Sequence, residues 1–178
     1  AAYDATLAKQ YDTAFKEWEE RKDSDLKEYW PRSAIPIGAE IGPHDVEGYH
    51  HSHWWTMFNP RQLLVHAQLL KAIVEVGNYD WKVREYVLGG FQQYLRNQCM
   101  FAFWNLNADK MEPAFADKGF QPKSLVIENG VFPKLGRGNW ASSVEGIVEG
   151  RDWANSPWEA VSAEGLKRRD VALSGSIS

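Results

Sequence analysis

The longest apolar stretch of the chain lies between helix-start and helix-stop residues, and it predicts one buried α-helix over residues 60–76. Asn59 can cap this helix through its side-chain oxygen, and Pro60 suits the first helical position. Gln62 stands where a capping box carries Gln or Glu, and Gly77 is typical of the residue that ends a helix. The apolar residues leave only a narrow polar stripe, formed by Gln68, Lys71 and Glu75. We therefore expect this helix to be buried on nearly all sides.

Arg61 places a positive charge in the first turn of this helix, where the helix dipole disfavours cations. Its guanidinium therefore requires a carboxylate, a carbonyl or a phosphate as a specific partner. We favour an internal carboxylate, because a guanidinium left unpaired is costly, and a DNA phosphate is the alternative. If the partner is an internal carboxylate, Arg61→Ala is expected to lower the free energy of unfolding by roughly 3–5 kcal/mol, as removal of one member of a buried pair does.

The remaining pattern predicts a mainly α-helical (α+β) domain over residues 1–160 with a small β element. An amphipathic helix is expected at 3–28, because apolar residues recur there at helical spacing. A long loop rich in proline and glycine is expected at 31–58. Residues 161–178 are expected to form a flexible tail.

A second long helix is predicted at 80–102, with Asp80 as its cap. One face of this helix is expected to be apolar, with Trp81, Tyr86, Val87, Phe91, Tyr94, Leu95 and Cys99 on it. The adjacent pair Gly89 and Gly90 weakens the helix and predicts the close approach of a neighbouring element.

Residues 105–160 are expected to mix loop and strand. The best candidate for a strand is 124–127, because three of its residues are apolar and two of those are β-branched. A short helix is expected at 142–148.

Composition indicates a folded intracellular protein and argues against a membrane-spanning or an independently nucleic-acid-binding chain. Hydrophobic residues make up 44% of the 178 residues and aromatic residues 13%, which excludes a disordered chain. One cysteine excludes an internal disulfide and fits the reducing cytoplasm, and no apolar run approaches the roughly 20 residues of a membrane helix. The net charge of −4 counts against nucleic-acid binding by the chain on its own.

Four histidines cluster in the loop before Trp54, namely His44, His50, His51 and His53. Their spacing matches no helical His-x-x-x-His pattern, and an irregular loop seldom preorganises three ligands. We therefore predict no metal site, and we expect these side chains to make local hydrogen bonds or to face solvent.

The sequence Phe-Asn-Pro-Arg-Gln-Leu-Leu at Phe58–Leu64, after an aromatic lead-in, resembles the middle region of a known family. This is the family of large prokaryotic adenine-specific DNA methylases that carry a zinc-ribbon insert. The resemblance covers roughly residues 10 to 160. Other segments agree in the same order, namely Ile35–Gly38, Phe120–Asn129, Gly136–Trp140 and Trp153–Glu159.

The resemblance implies a parent enzyme that transfers a methyl group from S-adenosylmethionine to adenine N6 in DNA. The family's Phe-x-Gly-x-Gly turn for the cofactor and its Asp-Pro-Pro-Tyr catalytic motif are both missing here. A zinc ribbon is also missing, because Cys99 is the only cysteine. The chain is therefore expected to be a non-catalytic middle or target-recognition segment, without a cofactor of its own. Its expected partners are the remainder of the methyltransferase and, through that enzyme, DNA.

Four residues are candidates for DNA contact, namely Arg61, Arg137, Glu128 and Asn129. Arginines suit phosphate, and an acid or amide after a strand can read a base edge. Each also has a structural interpretation, as an ion pair, a turn residue or a turn cap.

Two other functions stay open. The chain can be a protein–protein interaction module of a DNA-modification or phage-defence complex, or a metallohydrolase that uses the histidine loop. A basic face favours DNA contact, an exposed apolar patch favours a protein partner, and converging histidines favour the hydrolase.

Overall fold

The computed structural model describes residues 4–36, 51–75, 80–113, 127–132, 138–161 and 168–171. In these residues four α-helices, a short 3-10 helix and two small antiparallel sheets occur. The helices are α1 (Ala5–Arg21), the 3-10 helix (Trp54–Met57), α2 (Pro60–Glu75), α3 (Trp81–Leu95) and α4 (Trp140–Asn155). The strands are β1 (Phe103–Asn105), β2 (Lys110–Glu112), β3 (Trp158–Ala160) and β4 (Arg168–Asp170). The prediction of a mainly helical α+β fold is confirmed.

None of the helices in the described ranges is both long and apolar enough to cross a membrane.

Each sheet has two strands, with β1 paired to β2 and β3 paired to β4. Within the predicted flexible tail, Arg168–Asp170 forms a strand and Val171 N donates to Pro157 O, so the prediction is wrong for these four residues. The predicted strand at 124–127 falls on residues that are mostly outside the described ranges. Ile127 is described, and its backbone N–H donates to Ala102 O.

Several predicted helix boundaries were wrong. Helix α1 ends at Arg21 and does not continue to residue 28 as predicted. Turns follow the helix before Pro31. Helix α4 extends over 140–155, well beyond the predicted 142–148. Its start is fixed by Asn139, whose side chain accepts from the Ser142 backbone N–H.

The predicted helix 80–102 starts as expected but ends at Leu95. Asp80 caps it by accepting from Lys82 N. Beyond Arg96 the chain turns, and Met100 N donates to Met57 O at 2.9 Å. This link to the 3-10 helix places Cys99 in a small core cluster with Ile35 and Met57, which a continuing helix would not do.

Helices α1 and α2 pack around the main core cluster. Its buried members are Trp18, Leu26, Leu63, Leu64 and Ala67. The polar stripe of α2 contacts α1 and the turn after it: Gln68 donates to Glu17, Lys71 to Asp25, and Tyr29 to Glu75. The five buried residues of α2 all lie in its first half, so the expectation of burial along the whole helix was wrong for the second half.

Helices α3 and α4 meet at Gly90. A Cβ atom added there would lie 2.4 Å from Ile147 Cδ1, whereas one added at Gly89 would meet nothing within 4 Å. The predicted close approach is thus confirmed at the second glycine. Phe91 and Tyr94 are buried as expected, but Trp81 and Tyr86 are 61% and 66% exposed, so the predicted apolar face was wrong at the start of α3.

Valine at these two glycines gives a matched test of the α3–α4 contact. Gly90→Val is expected to lower the free energy of unfolding by roughly 1–3 kcal/mol relative to Gly89→Val, because only the former overpacks the helix pair. Both changes alter helix propensity equally, so urea unfolding of the two variants isolates the packing effect. Equal midpoints would contradict the contact.

Candidate functional site

The start of α2 is held by a reciprocal capping box. Gln62 N donates to Asn59 Oδ1 at 2.9 Å, and Asn59 N donates to Gln62 Oε1 at 3.0 Å. Leu63 N donates to Asn59 O at 2.9 Å. This is the arrangement that the sequence predicted, and it fixes the start of the helix that carries Arg61.

Arg61 forms a two-point ion pair with Glu128. Its Nε donates to Oε1 at 3.0 Å and its Nη2 to Oε2 at 2.5 Å, and Asn59 Nδ2 also donates to Oε2 at 3.4 Å. The hydrogen bonds that Arg61 donates to Glu128 raise the pKa of Arg61. The favoured internal carboxylate is therefore present. We call this pair, with Asn59, the Arg61–Glu128 clasp.

The clasp is not buried, which corrects the size of its expected effect. The side chains of Arg61 and Glu128 are 36% and 31% exposed. Solvent screens charges at such positions, so the 3–5 kcal/mol typical of a buried pair does not apply.

Asn129 follows Glu128 in the sequence, and its side chain binds the backbone carbonyl of Gly138. Its Nδ2 donates to Gly138 O at 3.1 Å, and Gln98 Nε2 donates to the same oxygen at 2.6 Å. The Gly138 carbonyl thereby joins Gln98, just after the end of α3, to the 127–132 segment. Arg137, the remaining candidate for DNA contact, lies outside the described residues.

A pocket of about 310 Å³ opens beside the clasp, and three of the four sequence candidates line it. The lining residues are Arg61, Gln62, Val65, Gln98, Glu128, Asn129, Gly130 and Val131. We call it the amide pocket, because three of these side chains are carboxamides. Sequence reasoning missed Gln98. The sequence does carry a signal for Gln98, because this carboxamide stands just before the mainly apolar run 99–104. A polar side chain that is buried beside such a run must find a hydrogen-bond partner.

His66 and Tyr94 form a buried network behind the amide pocket. His66 Nε2 lies 3.2 Å from Gln98 O, and Tyr94 Oη lies 3.0 Å from His66 Nδ1. A carbonyl only accepts, so Nε2 carries the proton and Nδ1 accepts from the Tyr94 hydroxyl. Burial lowers the pKa of His66 to about 4 and raises that of Tyr94. The network is neutral at pH 7 and ties α2 to α3.

The histidines described before Trp54 make local contacts. His51 Nδ1 pairs with Thr56 Oγ1 at 2.8 Å, and His53 Nδ1 pairs with Ser52 Oγ at 2.9 Å. Within the described ranges, no three His, Cys, Asp or Glu side chains converge as a metal site would require. His44 and His50 lie outside those ranges, so the absence of a metal stays a prediction.

Cys99 is buried, and desolvation raises the pKa of its thiol. Because the thiolate is the nucleophile, this environment disfavours covalent catalysis. The thiol instead packs in a core cluster with Ile35 and Met57.

A larger groove of about 1350 Å³ separates parts of α3 and α4. Glycines from both helices line it, namely Gly89, Gly90, Gly146 and Gly150. The exposed rings of Trp81 and Tyr86 stand along it. The groove combines an apolar rim with charges of both signs, since Lys82, Glu85 and Arg151 also line it.

Comparison of the chain with protein-family models, with curated proteins and with solved structures gives no match.

The energy of the clasp can be measured by a double-mutant cycle with Arg61→Ala and Glu128→Ala. The two-point geometry and the partial exposure together predict a coupling of about 1 kcal/mol, and Arg61→Ala alone is expected to cost about 1–2 kcal/mol. Urea unfolding at low and at high salt provides the measurement, and the coupling should shrink at high salt. A coupling near zero at low salt would show that the pair contributes nothing to stability.

Proposed function

We propose that this chain is a non-catalytic middle or target-recognition segment of an S-adenosylmethionine-dependent, adenine-specific (N6) DNA methyltransferase. In this role it shapes the DNA-facing cleft and holds the two catalytic halves of the enzyme in register. The cofactor and the catalytic motif belong to those halves, so the chain contributes binding surface and rigidity, and no chemical step.

One observation carries the proposal: four of the five segments that resemble the methylase family meet in space. The Phe58–Leu64 motif contacts the Glu128–Asn129 pair through the clasp, and Asn129 binds Gly138 of the next motif. Ile35, from the short upstream motif, packs against Met57. Motifs that are far apart in sequence and close in the fold are typical of one functional surface.

The geometry bears on the role of two of the four DNA candidates. Arg61 and Glu128 bind each other. Arg61 can therefore bind a DNA phosphate only if it first gives up its hydrogen bonds to Glu128. We assign the two residues a positioning role. Asn129 and Arg137 remain the candidates for direct contact, and Asn129 lines the amide pocket.

The coding sequence on either side of this chain tests the proposal without any assay. We expect a Phe-x-Gly-x-Gly motif upstream and an Asp-Pro-Pro-Tyr motif downstream in the same reading frame. An open reading frame that contains neither motif would overturn the proposal.

The α3–α4 groove favours a second candidate function, a protein–protein interaction module of a DNA-modification or phage-defence complex. Exposed aromatic side chains such as Trp81 and Tyr86 are enriched where proteins bind each other. A photo-crosslinking residue placed at Tyr86 or at Asn129 of the parent protein separates the two functions. Crosslinks to a second polypeptide from Tyr86 favour the module, and crosslinks to DNA from Asn129 favour the methyltransferase segment.

A further inference from the structure

Asn129 is the only asparagine of the chain that is followed by glycine. In such a pair the backbone nitrogen of the second residue can reach the side-chain carboxamide of the first, and glycine has no Cβ atom to hinder its approach. Residues 127–130 form no regular secondary structure, Asn129 is half-buried and Gly130 is exposed. The pair therefore brings a nucleophile and an electrophile together where water has access.

The backbone nitrogen of Gly130 is available for a reaction with this carboxamide. Its N–H donates to none of the residues that the structure describes. Asn155, which is followed by Ser156, provides a contrast within the same chain. There the Ser156 N–H donates to Asp152 O at 3.1 Å, at the end of α4, so that nitrogen is already bonded.

The carboxamide of Asn129 is restrained by one hydrogen bond. Its Nδ2 donates to Gly138 O at 3.1 Å, which holds the nitrogen that a reaction at Cγ would release. A single hydrogen bond of this kind contributes only modestly to stability. It therefore slows a reaction of the carboxamide without preventing it.

We propose that Asn129 is a site of spontaneous deamidation and that its hydrogen bond to Gly138 controls the rate. The Gly130 nitrogen attacks Asn129 Cγ and loses its proton, the Cγ–Nδ2 bond breaks, and ammonia leaves with that proton. Water then opens the cyclic imide. Attack at Cγ gives aspartate, and attack at the backbone carbonyl carbon gives isoaspartate. Water is the only co-reactant, and nothing is oxidised or reduced.

This modification goes beyond the proposed function, because it requires neither DNA nor a parent enzyme. It also changes the turn at Gly138. A carboxylate at position 129 only accepts hydrogen bonds, as the Gly138 carbonyl does, so the contact between them becomes unfavourable. Asn129→Asp reproduces the aspartate product and should unfold at a lower urea concentration than the wild type. An unchanged midpoint would contradict this consequence.

Peptide mass spectrometry on the full chain tests the proposal. The folded chain is incubated in heavy-oxygen water at mildly alkaline pH and then digested with trypsin in ordinary water. Peptides 124–134 and 152–167 report Asn129 and Asn155 separately, because each contains a single asparagine. Heavy oxygen in a product marks conversion during the incubation. We expect Asn129 to convert roughly tenfold faster than Asn155, or more, because only Gly130 has an unhindered and unbonded nitrogen.

Three variants separate the attacking nitrogen from the restraining bond. Gly130→Ala adds a Cβ atom beside the nucleophile and should slow conversion about tenfold. Gly130 does not have a positive φ, so alanine fits the backbone there. Gly138→Ala disturbs the acceptor and should speed conversion roughly two- to tenfold. Gly146→Ala is the control and should react at the wild-type rate, since a Cβ atom there meets nothing within 4 Å.

The site assignment is overturned if the folded wild type gains no heavy oxygen at Asn129, if Asn155 converts equally fast, or if Gly130→Ala converts at the wild-type rate. The role of the hydrogen bond is overturned if Gly138→Ala and Gly146→Ala convert at the same rate. If Gly138→Ala does not fold, wild type unfolded in guanidinium chloride takes its place. A rate in denaturant equal to that of the folded chain would then overturn the same claim.

Discussion

Gly138→Ala is expected to lower the free energy of unfolding by roughly 2–4 kcal/mol, since backbone strain and overpacking act together there. Gly138 has a φ of 76°, in the left-handed region that residues with a Cβ atom rarely adopt. A Cβ atom added there would also lie 2.4 Å from Asn97 Cβ and 2.7 Å from Asn97 Cγ. Because Asn97 Cβ is fixed to the backbone, the clash cannot be relieved by rotating a side-chain end.

The damage should extend to the amide pocket, because the Gly138 carbonyl accepts from both Gln98 and Asn129. Gly146→Ala is the control, since a Cβ atom there meets nothing within 4 Å and the residue is helical. That control is expected to stabilise the chain by up to about 1 kcal/mol. Urea unfolding followed by tryptophan fluorescence compares the two variants, and a Gly138→Ala midpoint equal to that of the wild type would contradict the described turn.

His66 is expected to make the chain less stable in acid, by roughly 3 kcal/mol between pH 7 and pH 4. Its pKa is about 4 in the folded chain and 6.5 in the reference state, because burial disfavours the imidazolium. Between these two pH values the unfolded chain binds more protons than the folded chain, so stability rises with pH. The contribution is complete above pH 6.5 and is lost as the pH falls toward 4.

His66→Gln removes this titration while keeping a polar side chain beside Tyr94. The difference in unfolding free energy between wild type and variant, measured from pH 4 to pH 7.5, isolates the histidine from the carboxylates. Wild-type stability should fall more steeply than that of the variant below pH 6.5. Parallel curves would mean that His66 is accessible to protons in the folded chain.

Local signals predicted the first half of α2 well. The capping residues Asn59 and Gln62 bind each other across only three positions of the chain. Both partners can therefore be recognised in one short stretch of sequence. The need of Arg61 for a carboxylate followed from its place in the first turn. The identity of that carboxylate did not, because Glu128 is 67 residues away along the chain.

Long-range packing decided the features that sequence reasoning missed. Helix α3 ends at Leu95 because the following turn binds Met57 and Gly138, and neither contact leaves a trace in helical periodicity. Trp81 and Tyr86 have the spacing of a buried face, yet they stand along an open groove. Gln98 was missed for the same reason, since its partner Gly138 lies 40 residues ahead.

Transfer of tritiated methyl groups from S-adenosylmethionine to adenine in DNA tests the proposed function most directly. The assay compares this chain with the parent protein that contains its flanking sequences. We expect no transfer and no stoichiometric cofactor binding by the chain alone, because it lacks both family motifs, and we expect N6-methyladenine from the parent. Methylation by the isolated chain, or a parent protein that binds DNA and cofactor but never methylates adenine, would contradict the proposal.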